Sequence, residues 1–194
     1  MAILISSCGT TKKATAVVDN QNTIRTDFSS YLNLIKDGEF DKAMDYLIPE
    51  FFEIVPRDQM IQVLEETFNS PELEFELKDP KILNVGAAKK VEDKFYSKLK
   101  YSNRMDIKFK REEGETKEDK EFTNNILKIS FEETFGAENV TYNSETGFFE
   151  IYEEKSAISI SNNGINDWKF LVLEKEQNAI LEKLVPQEII ELSY

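Results

Sequence analysis

The sequence predicts an α+β fold, in which N-terminal helices pack on a curved antiparallel sheet and a further helix follows at the C-terminal end. Three observations lead to this prediction. Apolar residues recur at helical spacing from Thr26 to Phe68, the period then changes to two, and helical spacing returns around Leu127 and again near the C-terminus. The chain has 194 residues, so we expect a single domain with a sizeable core over residues 26–194.

Three short helices are expected first. The stretch that begins at Thr26 has apolar side chains at positions i, i+3, i+4 and i+7, and Gly38 is typical of its C-terminal stop. A second apolar stripe runs from Phe40 to Pro49, which predicts a hairpin of two helices. A third helix is expected to begin at Pro56, because proline suits the first turn of a helix.

The central part of the chain predicts strands. Residues 73–77 alternate between apolar and charged side chains, the pattern of a strand that is buried on one face. Residues 81–85 are expected to extend this strand beyond a break at Pro80. Apolar residues from Lys94 to Lys110 share one parity, which predicts one long strand with a bend or a bulge.

The second half of the chain is expected to complete the sheet. The highly charged residues 111–121 predict a solvated loop, and a helix through Leu127 is expected to stop at Gly136. Strands are predicted at residues 140–142, 148–152, 156–161 and 167–172, with turns between them. A helix and a final apolar turn, residues 180–192, end the chain.

The N-terminal run Ile5-Ser6-Ser7-Cys8-Gly9 has a branched apolar residue and two small residues before a cysteine, and it resembles the lipobox of bacterial lipoproteins. The resemblance implies that residues 1–7 are the remnant of a signal peptide. It also implies that Cys8, the only cysteine, carries a lipid that holds the protein on a membrane. Residues 8–25 are small and polar, which predicts a flexible tether. Gly9 after the cysteine resembles the signal for the outer membrane, so we expect a cell-envelope protein that faces the periplasm.

Residues 31–43 (YLNLIKDGEFDKA) and 167–171 (DWKFL), together with Tyr46 and Pro49, resemble the NTF2-like superfamily, which is also called cystatin-like and has a cone-shaped fold. The resemblance implies that the sheet curves into a cone, and such a cone is a natural ligand pocket. Enzymes of this superfamily often carry an Asp-His pair in the cone. This chain contains no histidine, so no such catalytic pair carries over.

The aromatic side chains expected near the mouth or lining of the cone are Tyr31, Phe52, Tyr152, Trp168 and Phe170. Ordinary core packing is the other interpretation of the same residues, since aromatic residues at helical or strand spacing are often buried. The resemblance also implies that a homodimer through the open face of the sheet is one option.

Composition excludes several classes of function. The formal net charge of −13 argues against binding to nucleic acid, whose backbone is also negative. Without histidine, neither a Ser-His-Asp triad nor a histidine-bearing metal site can form. Residues 112–115 and 162–167 are rich in acidic or amide side chains, but they lack the spacing of a calcium loop and are better explained as a loop and a turn. We therefore expect no metal and no cofactor.

The expected function is a non-enzymatic module that binds a small apolar ligand or a protein partner in the cell envelope. The alternative is a small-molecule enzyme that uses a buried carboxylate and a tyrosine in the cone. A third hypothesis is a structural module that acts through an exposed face of the sheet.

Overall fold

The predicted α+β class is confirmed by a computed structural model, which describes residues 20–111, 114–173 and 178–191, without the side chains of residues 178 and 179. In these residues the α-helices are α1 (Asn20–Lys36), α2 (Phe40–Met44), α3 (Arg57–Phe68), α4 (Lys117–Phe135), α5 (Asn178–Leu184) and α6 (Gln187–Ile190). Short 3₁₀ helices span Pro49–Glu53 and Ala137–Asn139. The strands are β1 (Leu73–Val85), β2 (Lys89–Val91), β3 (Lys94–Phe109), β4 (Val140–Tyr142), β5 (Phe149–Ser161) and β6 (Lys169–Leu173).

The strands form one antiparallel sheet with β3 and β5 at its centre. The order along the main path is β1-β3-β5-β4, while β2 pairs with β3 and β6 pairs with β5. β3 pairs with β5 from Phe95 to Ile107 without any shift of register. Side chains of the same parity therefore stay on the same face along the whole of this central pair.

We call the face that carries the odd-numbered side chains of β3 the inner face. At one end of it, the aromatic and aliphatic side chains of α1 pack on Leu99 and Tyr101. The Phe28 ring lies 4.9 Å from the Tyr101 ring and 4.8 Å from the Phe170 ring, both in edge-to-face geometry. At the other end, Phe131 of α4 packs on Phe149, with 5.2 Å between the ring centroids. The helices thus cover the two ends of one face.

The outer face carries the even-numbered side chains of β3. Its end near β2 packs Tyr96 and Ile158 against Leu181 and Ile189 of the C-terminal helices. The rest of the outer face is rich in charged side chains, including Arg104 and residues described below. No helix in the described part of the chain is long and apolar enough to cross a membrane.

The first helix begins earlier than the sequence predicted. α1 starts at Asn20 rather than at Thr26, so residues 20–25 are helical and do not belong to a tether. Ile24 is completely buried, and the Thr23 hydroxyl accepts a hydrogen bond from the Trp168 indole N–H at 3.2 Å. The polar side chains that gave this stretch the composition of a linker are therefore partly used in tertiary contacts.

Two other predicted boundaries are corrected, and one short strand was not predicted. The charged segment 111–121 is only partly a loop, because Thr116 and Asp119 form a capping box that starts α4 at Lys117. The two strands predicted at 148–152 and 156–161 are one continuous strand, β5, since β3 pairs with it along its length. β2 was not predicted, because a three-residue strand with two lysines has no clear periodicity.

The irregularity predicted for the long strand β3 lies instead in its neighbour β1. The β1–β3 register shifts between Lys78 and Lys81, where Asp79 has a φ of 50° and Pro80 has no N–H to donate. The sequence predicted a break at Pro80, and the chain passes it as a bulge within one strand. We refer to Asp79 and Pro80 as the β1 bulge.

Candidate functional site

A cavity of about 340 Å³ lies on the inner face, between α1, α2, α3 and the sheet. This volume is at the lower end of the range for small-molecule sites. The side chains that line the cavity are mainly apolar: Tyr31, Leu32, Ile35, Met44, Leu47, Phe51, Met60, Val63, Leu64, Leu77, Tyr101, Met105, Phe170, Leu171 and Val172, with Asn103, Glu153 and Lys155 as the polar exceptions.

The helical wall of the cavity follows from the spacing of apolar residues in α1 and α3. In α3, Met60, Val63 and Leu64 lie on one face of the helix, yet none of the α3 side chains is fully buried. Val63 is 56% exposed, which places it where the cavity opens to solvent. The apolar face of α3 therefore packs on the core through Met60 and Leu64 and borders the cavity at Val63.

The three polar side chains come from the two central strands. Asn103 of β3 is directly opposite Glu153 of β5 in the register, and Lys155 is opposite Tyr101. The Lys155 Nζ and a Glu153 carboxylate oxygen are 3.2 Å apart, so these two charges form an ion pair at the wall of the cavity. The polar part of the cavity thus holds one neutral amide beside one paired acid and base.

Asn103 is the polar side chain of β3 that faces the cavity. Only 6% of the residue is exposed, its side-chain amide makes no hydrogen bond to the residues that the structure describes, and the amide atoms remain accessible at the open cavity. Most buried polar groups in folded proteins do have such a partner. An amide in this condition at a cavity wall is a candidate contact for a ligand.

The β1 bulge lies opposite Asn103 in the β1–β3 pair. On either side of the bulge, Lys78 pairs with Arg104 and Lys81 pairs with Ser102, so Asp79 and Pro80 together oppose the single residue Asn103. Leu77, which is opposite Met105, is the last inward side chain of β1 before the bulge and lines the cavity.

Two of the five side chains that the sequence predicted for a pocket line this cavity, namely Tyr31 and Phe170. Trp168 does not line it and agrees instead with the alternative of ordinary core packing. Its side chain is 1% exposed and belongs to the core cluster of α1 and β6, where its backbone N–H donates to the Asp27 carboxylate at 3.3 Å. The bulk of tryptophan is used there to join α1 to the sheet.

Tyr152 and Phe52 also lie away from the cavity. Tyr152 has even parity on β5, so it is on the outer face, half exposed, and its hydroxyl donates to Glu154 at 2.9 Å. Phe52 packs at the edge of the core, and the Arg57 guanidinium lies 5.9 Å from its ring centroid. The predicted set is corrected at both positions.

The sequence did not single out Asn103 or Lys155, and it favoured surface charge over acid/base work for Glu153 and Glu154, because adjacent residues of a strand point apart. One signal was present for Asn103: it interrupts the apolar parity of β3 between Tyr101 and Met105. A polar residue at an inward position of a long amphipathic strand indicates either a buried hydrogen bond or a site. No comparable signal marks the other two, because charged residues are common along β5.

A second buried polar group, Asp106, lies on the outer face and is 3% exposed. Its two carboxylate oxygens accept hydrogen bonds from Arg104 at 2.8 and 3.2 Å, and Lys78 Nζ lies 2.8 Å from one of them. Hydrogen bonding to Asp106 raises the pKa of Lys78, and it also raises the pKa of Arg104. Asp106 is thus fully engaged by the protein itself.

Two other sequence-based expectations concern Cys8 with the segment that follows it, and the turn at residues 162–167. Cys8 and residues 8–19 lie outside the described residues. Asn163, in the run expected to be a hairpin turn, uses its carbonyl oxygen to accept backbone N–H groups of Ile165 and Asn166 at 2.8 and 3.1 Å. This oxygen therefore organises the loop between β5 and β6.

Comparison of the chain with models of protein families, with curated proteins and with solved structures finds no match. The function of this protein is therefore inferred from its own residues and geometry.

Proposed function

We propose that this protein is a lipid-anchored protein of the bacterial cell envelope whose domain binds a small, largely apolar ligand without transforming it. The observation that carries the binding part of the proposal is the cavity of about 340 Å³ on the inner face. At about 30 Å³ for a group the size of a water molecule, this space holds on the order of ten non-hydrogen atoms. The NTF2-like resemblance agrees with this proposal, because its cone is the part of that fold that holds ligands.

The composition of the lining supports an apolar ligand. Burial of apolar surface contributes roughly 25 cal/mol per Å², so a hydrocarbon chain of several carbons gains a useful binding energy in such a cavity. The cavity is open at Val63, which gives a ligand a route from solvent. A site of this kind suits the capture or carriage of a small hydrophobic molecule.

Native mass spectrometry of the gently purified protein tests the binding proposal. A reproducible extra mass is expected, and the variant Val63→Trp should lower its occupancy at least tenfold because the indole fills the mouth of the cavity. Ile129→Trp is the matched control, since Ile129 is also 56% exposed on a helix but does not line the cavity. The proposal fails if no added ligand binds to the wild type or if both variants bind ligand alike.

The anchor is supported by the run Ile5-Ser6-Ser7-Cys8 and the small polar residues that follow it. Metabolic labelling with an alkyne-tagged fatty acid tests this part separately. Label should be incorporated into the wild-type protein in bacterial cells and lost in Cys8→Ser. Absence of label in the wild type would remove the anchor from the proposal and leave the ligand site intact.

An enzyme that uses a buried carboxylate is the second candidate, and Glu153 at the cavity wall is the observation that favours it. The ion pair with Lys155 engages this carboxylate, which makes binding the better explanation. The two candidates differ in what happens to the bound molecule. A mass that changes with time in the wild type but not in Glu153→Gln would establish the enzyme.

A further inference from the structure

The position of Asn103 within the cavity defines the chemistry of the ligand more closely. A side-chain amide has one carbonyl acceptor and two N–H donors, and all of them are without a described partner in Asn103. Leaving buried donors and acceptors unpaired is unfavourable. A ligand that offers both a donor and an acceptor at this point would satisfy the amide.

The neighbouring charges argue against an ionised head group. Glu153 and Lys155 already pair with each other at 3.2 Å beside Asn103. An anionic head would meet the Glu153 carboxylate, and a cationic head would meet the Lys155 ammonium, so each attraction is offset by a repulsion. Either ion would also lose its hydration in a mainly apolar cavity.

The rest of the cavity lining is apolar and favours an apolar body for the ligand. Aliphatic side chains from α1 and α3 face the sheet, and Leu77 and Met105 flank the row of Asn103. Asn103 borders the cavity in this row, so a head group can lie against its amide. The site therefore combines one neutral polar point with an apolar enclosure.

We propose that Asn103 recognises the uncharged head of an amphiphile, and that a carboxamide on a short aliphatic chain represents the preferred ligand class. Two amides placed side by side can exchange a pair of N–H···O hydrogen bonds, in which each supplies a donor and an acceptor. This inference depends on the proposed ligand-binding function and specifies its selectivity. Asn103 is a contact residue for the ligand and has no role in a reaction.

Isothermal titration calorimetry on the full chain with octanamide, octanoate and octylamine tests the inference. These probes share one aliphatic body and differ in the charge of the head. Octanamide should bind about ten- to a hundredfold more tightly than the two ions, because either ion covers the amide and leaves its donors or its acceptor unpaired. Asn103→Leu should remove this preference and leave residual binding of the aliphatic chain. Asn103→Ala serves as a second variant if leucine prevents folding, which the fluorescence of the single tryptophan reports.

The outcomes separate the inference from the proposed function. Equal binding of the three probes, or a preference that persists in Asn103→Leu, would overturn the role of Asn103 while the cavity remains a ligand site. Absence of binding by any probe would overturn both. Binding that is stronger for octylamine or for octanoate would assign the recognition to Glu153 or to Lys155 and not to the amide.

Discussion

Asn103 and Asp106 are both polar, both buried and both on β3, but they face opposite sides of the sheet and differ in what surrounds them. Arg104 and Lys78 engage Asp106 on the outer face. Asn103 faces the cavity and has no partner among the described residues. Two buried polar residues on one strand thus differ in whether the protein itself supplies their partners.

Removal of the Asp106 carboxylate should have the largest effect. Asp106→Ala leaves two cations without their buried partner, and we expect a loss of about 2 kcal/mol in the free energy of unfolding, measured by urea denaturation. Solvent around the partly exposed cations keeps the loss below that of a fully buried pair. Glu76→Ala is the control, because Glu76 pairs with the same lysine but is half exposed, and it should cost less than about 0.5 kcal/mol. Equal effects of the two variants would contradict the structural role of Asp106.

Replacement of Asn103 should change the free energy of unfolding in the opposite direction and stabilise the protein. Asn103→Leu replaces an amide that makes no hydrogen bond to the described residues and lines a mainly apolar cavity, so the ligand-free protein should gain up to about 1 kcal/mol in unfolding free energy. The same urea experiment measures it. A loss of more than about 1 kcal/mol would mean that the amide makes a contact that stabilises the fold.

The half-exposed ion pair of Lys94 and Glu50 should make a smaller contribution to stability. Hydrogen bonding from Lys94, 2.7 Å away, together with a backbone hydrogen bond, lowers the pKa of Glu50. Because the folded-state pKa is the lower one, this stabilisation is fully present above the ordinary carboxyl pKa of about 4.3 and is lost as the pH falls through the folded-state pKa. Glu50→Gln should therefore cost about 0.5 kcal/mol near pH 6 and less near pH 3. Urea midpoints at both pH values measure this, and a difference that grows on acidification would reverse the assignment.

The smallest expected effect is the coupling between the two polar sites. Asn103 and Asp106 face opposite sides of the sheet and share no contact among those described. The double variant Asn103→Leu/Asp106→Ala should equal the sum of the single variants within about 0.5 kcal/mol in a double-mutant cycle. A larger coupling energy would show that the two faces communicate through β3.

The sequence was sufficient for the class of fold, because long amphipathic patterns such as residues 94–110 determine which side chains can be buried together. It was less informative where both the odd-numbered and the even-numbered residues of a strand are apolar. Phe148 and Tyr152 alternate with Phe149 and Ile151, so the pattern alone could not tell which pair faces the interior. The register with β3 places Phe149 and Ile151 on the inner face, and Tyr152 is therefore on the outer one.

The site itself required three-dimensional information. The cavity depends on the distance between α3 and the sheet, which no local pattern specifies. Asn103 could have been noticed as a polar interruption between Tyr101 and Met105, but the absence of a partner is a property of the whole fold. The early start of α1 was missed for a related reason, since Thr23 becomes useful only when Trp168 is beside it.

The β1 bulge also has a consequence for self-association. β1 lies at one end of the strand order, where a regular strand would expose a row of N–H and C=O groups to any incoming chain. Pro80 removes one donor from that row, the positive φ of Asp79 bends it, and Lys78 and Lys81 flank it with charge. The irregularity thereby protects this border of the sheet from the strand-to-strand addition that leads to fibrils.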